Sequence, residues 1–241
     1  QMTACLLAII LFRKTSRIKV SLKNFKPNAQ IIKNIYSIAI PSGVMTSLPS
    51  ILVALLNSLL ATVSQTAVNF FGIYFKLQSF IYMPANGLIQ GMRPLISYNY
   101  GARHFDRVKK IIKVSIISTA VILCCGTIIF MGLPELVLSW FNATEQLLEI
   151  GIIGLRVISP CFILSTMGVV ISGVFESLGK GRQSLTISLL RQFIITLPLA
   201  YILLKVIGLN GIWLSFVIAE GIASVIAVIL IKKELHNFKV D

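Results

Sequence analysis

Apolar residues run along this chain in long blocks, and most of the charged residues are bunched between the blocks. A helix that crosses a bilayer needs roughly 20 mostly apolar residues. Six such stretches follow one another at 35–63, 68–98, 114–133, 147–175, 185–204 and 209–231. A shorter apolar run precedes them, with no basic segment before it and no small-residue cleavage site, so it is expected to be the end of a preceding transmembrane helix rather than a signal peptide. The expected organisation is therefore 1–12 as that helix end, 13–34 as a linker, 35–231 as a six-helix bundle and 232–241 as a tail. The fold class is all-α integral membrane.

Charge placement orients the bundle. All but Lys76, Arg156 and Lys205 of the 22 Lys and Arg residues fall in four clusters, at 13–33, 93–113, 180–191 and 232–239. These clusters occupy every second connection. The connections between them hold no base: 64–67 is uncharged, 132–149 carries Glu135, Glu145 and Glu149, and 208–211 is a tight Gly-Leu-Asn-Gly turn. Short loops rich in Lys and Arg stay cytoplasmic, which predicts a multi-pass protein of the cell inner or plasma membrane with the linker and the C-terminus in the cytoplasm.

Composition supports the bilayer as solvent. Charged residues make up 12% of the chain, about half the roughly 25% of a soluble domain, and the mean hydropathy is +0.89. The net charge of +14 would suggest nucleic acid only if it formed a continuous face. It is split among loops instead, so the lipid bilayer is the expected partner and nucleic acid is not.

Polar residues inside the apolar blocks carry the candidate chemistry. Prolines 41, 49, 84, 160 and 198 interrupt four of the helices, and each frees a carbonyl that lipid cannot satisfy. Broken helices recur in secondary transporters. In the second block Ser79, Tyr82, Asn86, Gln90, Arg93 and Ser97 recur every three or four residues, which places them on one helical face. Such a stripe lines a cavity or packs against helices; Asn57 in the preceding block joins it as a cavity candidate. Gly87 and Gly91 form a G-x-x-x-G spacing that suits close helix approach. Glu220, midway along the last block, is the leading buried acid, able to carry a proton or to hold a neighbouring helix. Glu176 and Arg191, near the cytoplasmic ends of consecutive helices, are expected to pair as a gate. Lys76 and Arg156 lie near outer helix ends, where snorkelling suffices. Trp140, Phe141 and Trp213 are expected to anchor the outer interface, and the four cysteines to be buried thiols.

Motifs of soluble enzymes are missing. The stretch from Gly173 to Gly181 has one residue too many between its glycines for a phosphate-binding loop and lacks Ser or Thr after Lys180. His104 and His236, the two histidines, lie in basic segments.

The run Gly91, Pro94, then Tyr98-Asn99-Tyr100-Gly101-Ala102, followed by Arg107, Lys109, Lys110 and Lys113, resembles the signature after the eighth helix of multidrug and toxic compound extrusion (MATE) exporters. Ile40-Pro41, Met83-Pro84 with Gly87, Gly173 to Lys180, Leu190-Arg191-Gln192 and Gly211-Ile212-Trp213 resemble the family in the same order. The resemblance implies a twelve-helix antiporter of two six-helix lobes, of which this chain would supply the second. It also implies export of small organic cations by alternating access on a proton or sodium gradient, with no cofactor. Where sodium-coupled members carry a glutamate in helix seven this chain has Pro49, so the resemblance puts the coupling site in the other, N-terminal lobe. A flippase for lipid-linked oligosaccharides is the nearest alternative, and a wide Arg- and Lys-lined groove would favour it. A membrane-embedded enzyme would need a His and acid constellation that these helices lack.

Overall fold

The computed structural model describes residues 2–15 and 27–237, and its elements are helical throughout. Half of the expected 13–34 linker and the end of the tail, residues 16–26 and 238–241, lie outside the described residues. The chain divides into two compact units, Gln1–Ser37 and Ile38–Asp241. The first holds α1 (Met2–Thr15) and the opening turns of α2 (Ala29–Ala61). There Asn28 caps α2, its Oδ1 accepting from the Gln30 N–H at 2.9 Å, which satisfies one of the donors a helix start leaves open.

The second unit is a bundle of antiparallel helices. After α2 come α3 (Gln65–Gly101), α4 (Phe105–Gly132), the short α5 (Pro134–Ser139), α6 (Glu145–Ile158), α7 (Pro160–Ser177), α8 (Gly181–Leu189), a π turn at Leu190–Ile194, α9 (Thr196–Ile207) and α10 (Leu209–Asn237). Five helices, Ala29–Ala61, Phe105–Gly132, Pro160–Ser177, Gly181–Ile207 and Leu209–His236, are long and apolar enough to cross a membrane. The second expected span is absent from these five. It folds as α3, the longest helix at 37 residues, but its polar stripe dilutes its hydropathy.

Local chemistry sets the breaks. Ser64 caps α3 by accepting from the Ala67 N–H. The expected 147–175 helix is divided at Ser159–Pro160, because proline offers no N–H to the preceding turn. Hydroxyls bond the backbone beside the break: Ser159 Oγ donates to the Leu155 carbonyl at 2.5 Å, and Thr127 Oγ1 donates to the Ser159 carbonyl at 3.2 Å. The basic run after α3 is helix rather than loop, since α4 begins at Phe105 and only residues 102–104 turn the chain. Tyr98-Asn99-Tyr100-Gly101-Ala102 is thus the last turn of α3 and its cap, with the His104 N–H donating back to the Asn99 carbonyl at 2.8 Å. The α7–α8 turn repeats this bond from the Lys180 N–H to the Phe175 carbonyl, also 2.8 Å. Helix ends commonly satisfy their last carbonyls in this way.

Two cores stack along the bundle. One, at the end where α3 and α10 begin, is aromatic: Phe70, Phe71, Tyr74, Phe162 and Trp213 are all fully buried. The other, at the basic end, is aliphatic, built on Ile89, Ile96, Val108, Ile171, Val174 and Ile187. Ion pairs tie the basic end together, Arg93 Nη2 to Glu176 Oε2 at 2.7 Å and Lys180 Nζ to Glu234 Oε1 at 2.6 Å. Glu234, which falls within the expected tail, is therefore a buried part of α10.

Three expectations about apolar positions are corrected. Trp213 is 0% exposed and packs edge-on against Phe70 at 5.1 Å, so it is a core residue; of the three aromatics expected at the interface, Trp140 stays exposed. Gly208, at φ +69 and ψ −151, separates α9 from α10, and Gly211, Ile212 and Trp213 near the start of α10 are buried. Among the cysteines only Cys161 is buried, while Cys5 and Cys125 are exposed and Cys124 is half-buried. An apolar stretch in a membrane does not say which face meets lipid. Among the described residues the Gly87 and Gly91 pair packs against no helix, since a Cβ at either would meet nothing within 4 Å.

Candidate functional site

Between the two cores the packing opens into a cavity of about 470 Å³. Pro49 and Leu52 of α2 form one wall, Ser79, Tyr82 and Asn86 of α3 another, and Arg191 and Gln192 of the π turn with Glu220 of α10 a third. Phe75 and Phe216 contribute aromatic faces. The volume lies within the roughly 300–1,000 Å³ of small-molecule sites.

The charged centre is one ion pair. Arg191 Nη2 lies 2.8 Å from Glu220 Oε1, with the side chains 15% and 11% exposed. A charge at membrane depth is stable only when paired or hydrated, and each of these satisfies the other in part. Glu220 Oε2, Arg191 Nε and Gln192 Oε1 are buried without a hydrogen-bond partner among the described residues. The pair lies over Gly168 of α7, where a Cβ would come within 3.9 Å of both Arg191 Nη1 and Glu220 Oε2. A longer side chain there would press on it.

The backbone bulge presents Arg191. In the π turn the Ile195 N–H reaches the Leu190 carbonyl at 3.0 Å, one residue further than in an α-helix, and Thr196 Oγ1 donates to the Arg191 carbonyl. Bulges of this kind re-aim side chains and gather at functional sites. Pro198, four residues past the turn, withholds a further backbone donor and keeps the helix from closing regularly. Beside the pair, Tyr82 Oη and Ser165 Oγ are 2.6 Å apart, and Ser165 donates to the Phe162 carbonyl at 2.8 Å.

Ser79, Tyr82, Asn86 and Glu220, expected from the sequence, thus meet in one cavity with Arg191. Gln90 lies one turn beyond Asn86 on the same stripe, exposed and outside the cavity wall. Asn57 is half-buried in α2 and also outside it, its Oδ1 without a partner among the described residues. The expected Glu176–Arg191 pair does not form. Glu176 takes Arg93 and accepts from Ser184 Oγ at 3.1 Å, which fixes the register of the α7–α8 hairpin. Arg191 lies seven residues past Ser184, roughly 10 Å deeper by helical rise, and reaches Glu220 instead. Sequence reasoning missed this pairing and the roles of Phe75, Gln192 and Phe216. The signal available was that Arg191 and Glu220 are opposite charges at depth, each needing a partner.

The MatE family model matches residues 41–202, most of the bundle. The chain belongs to the MATE family. Among curated relatives of this MATE chain, multidrug export protein MepA of Staphylococcus aureus (strain MSSA476) is 30% identical over 239 residues, 99% of this chain and 52% of that protein. The protein of the same description from Staphylococcus haemolyticus (strain JCSC1435) is 30% identical over 240 residues, again 99% and 52%. The MATE chain therefore spans about half the length of these relatives. Its fold matches the outward-facing conformation of a multidrug resistance MATE family transporter of the MOP superfamily, with TM-score 0.90, 21% identity, and 100% of this chain against 55% of that one. A MOP superfamily transporter from Pyrococcus furiosus, described as having a binding pocket of reverse polarity, gives 0.90 at 22% identity, covering 99% and 55%.

Proposed function

We propose that this chain forms one lobe of a secondary active antiporter that exports organic cations by alternating access, driven by a proton or sodium gradient. The observation that carries the reading is the Arg191–Glu220 pair set in the wall of a cavity whose other side chains are uncharged, aromatic and apolar ones among neutral polar ones. A cationic group entering there finds the Glu220 carboxylate, whose buried Oε2 has no hydrogen-bond partner among the described residues, and the ring faces of Phe75, Tyr82 and Phe216, which attract cations. It competes with Arg191 for the carboxylate. Pro49, where sodium-coupled members of the family carry a glutamate, lines the same cavity, so the acid in this cavity comes from α10 rather than from α2. Membership in a family of transporters, and relatives named for multidrug export, support transport rather than catalysis.

In this reading the exposed stripe of Ser79, Asn86 and Gln90 faces a second six-helix lobe, and the two lobes rock about the cavity. The coupling ion binds mainly in that other lobe. The basic ends of the helices lie in the cytoplasm, following the distribution of Lys and Arg. The cavity has a single arginine, held by an acid, rather than the Arg- and Lys-lined groove that an oligosaccharide-lipid flippase would use. The test is efflux of a cationic dye from cells making the intact protein that carries this chain. Glu220→Gln is expected to reduce efflux by about tenfold or more, through loss of the charge partner, with the protein still present in the membrane. Unchanged dye efflux in both Glu220→Gln and Gln90→Ala would overturn the reading.

A further inference from the structure

A second hollow of about 480 Å³ lies between α3 and the start of α4. Its α3 wall is Leu88, Gly91 and Leu95, half a turn round the helix from Asn86, Gln90 and Arg93. It is therefore separate from the cavity described above. Its floor is open at Gly91, where a Cβ would meet nothing within 4 Å. Its rim is greasy and uncovered, with Leu95 55% and Val114 54% exposed.

Arg107, Lys110, Val114 and Ser118 recur every three or four residues of α4 and so share one face. Lys110, Val114 and Ser118 line the groove, and Arg107 sits one turn towards the helix start. From Lys110 to Ser118 the wall runs roughly 12 Å by helical rise, enough for the upper part of an acyl chain. Arg107 and Lys110 are exposed and make no ion pair among the described residues, while the neighbouring Lys109 is engaged by Asp106 at 3.6 Å. Basic pockets between membrane helices bind anionic headgroups.

We propose that this groove binds one anionic phospholipid, an acyl chain lying along Leu88, Leu95 and Val114 and the headgroup phosphate held by Arg107 and Lys110. Charge complementarity favours lipid over a second copy of the chain. The chain's exposed acids without an ion pair among the described residues, Glu135, Glu145 and Glu149, sit at the opposite end of the bundle, so of the exposed described acids a copy inserted the same way up would bring to the two cations only Asp106, which is already engaged by Lys109.

The test is native mass spectrometry of the intact, delipidated protein titrated with phosphatidylglycerol and with phosphatidylcholine of the same chains. One phosphatidylglycerol should bind tightly, roughly tenfold better than phosphatidylcholine. Arg107→Gln/Lys110→Gln should erase that preference, Lys232→Gln/Lys233→Gln should keep it, and Gly91→Leu, which fills the floor, should weaken both lipids. Ser118→Leu fills the groove from α4 and replaces Gly91→Leu if that variant does not fold. The proposal is overturned if the Arg107/Lys110 double variant keeps its preference, or if the Lys232/Lys233 variant loses it equally through diffuse charge. It is also overturned if glycerol phosphate, which has no tails, competes as well as the lipid. A dimer that Gly91→Leu dissolves while lipid binding stays unchanged would assign the groove to a second copy instead.

Discussion

The two halves of the bundle solve the same packing problem with different chemistry. At the end where α3 and α10 begin, five large rings interlock, with Tyr74 stacked on Phe162 at 6.4 Å and Trp213 against both Phe70 and Phe71. At the basic end the core is aliphatic, and cross-helix ion pairs fasten α3 to α7 and the α7–α8 turn to α10. Lipid is as apolar as leucine, so helices in a membrane associate through close packing and polar ties rather than through expulsion of water. Rings supply the packing at one end of the bundle, and charges supply the ties at the other. The Arg191–Glu220 pair belongs to neither half. It places a charge tie at the depth where packing would be expected, beside an open cavity.

Removing the largest ring should separate the halves most clearly. Trp213→Ala is expected to cost about 4 kcal/mol, in the range for fully buried aromatic truncations, read as a fall in the thermal unfolding midpoint of the purified intact protein. A loss under about 1 kcal/mol would show that the aromatic core is not the tighter half. Next comes the central pair. Glu220→Ala leaves a buried arginine unpaired and should cost about 3 kcal/mol, whereas Glu220→Leu/Arg191→Met should restore most of that stability. If dye efflux returns together with stability, the pair is only a structural tie and the cation-binding role fails.

At the basic end Lys180→Ala should cost about 1 kcal/mol, because that pair is partly exposed to water and salt. A loss as large as that of Glu220→Ala would erase the distinction between interfacial and deep charges. Smallest in stability is the stripe: Asn86→Ala and Gln90→Ala lie on an exposed face and should stay within about 0.5 kcal/mol of wild type. Dye efflux should fall all the same, and parallel loss of folding and efflux would mean that the stripe packs rather than binds.

The sequence by itself determined the solvent, the helical class and the approximate positions of the five apolar spans, since apolar length is a one-dimensional property that a bilayer reads directly. It also determined the face of α3 on which Ser79, Tyr82, Asn86 and Gln90 lie, because helical periodicity is local. Tertiary structure decided what each face meets. It drew Trp213 into the core, left Cys125 exposed, matched Glu176 with Arg93 and matched Arg191 with Glu220 across 29 residues of chain. Those outcomes depend on hairpin register and on a bulge of one residue at 190–194, and a shift of one residue turns a helical side chain by about 100°. No hydropathy pattern resolves that rotation, because in lipid the outward face of a helix is as apolar as the inward one.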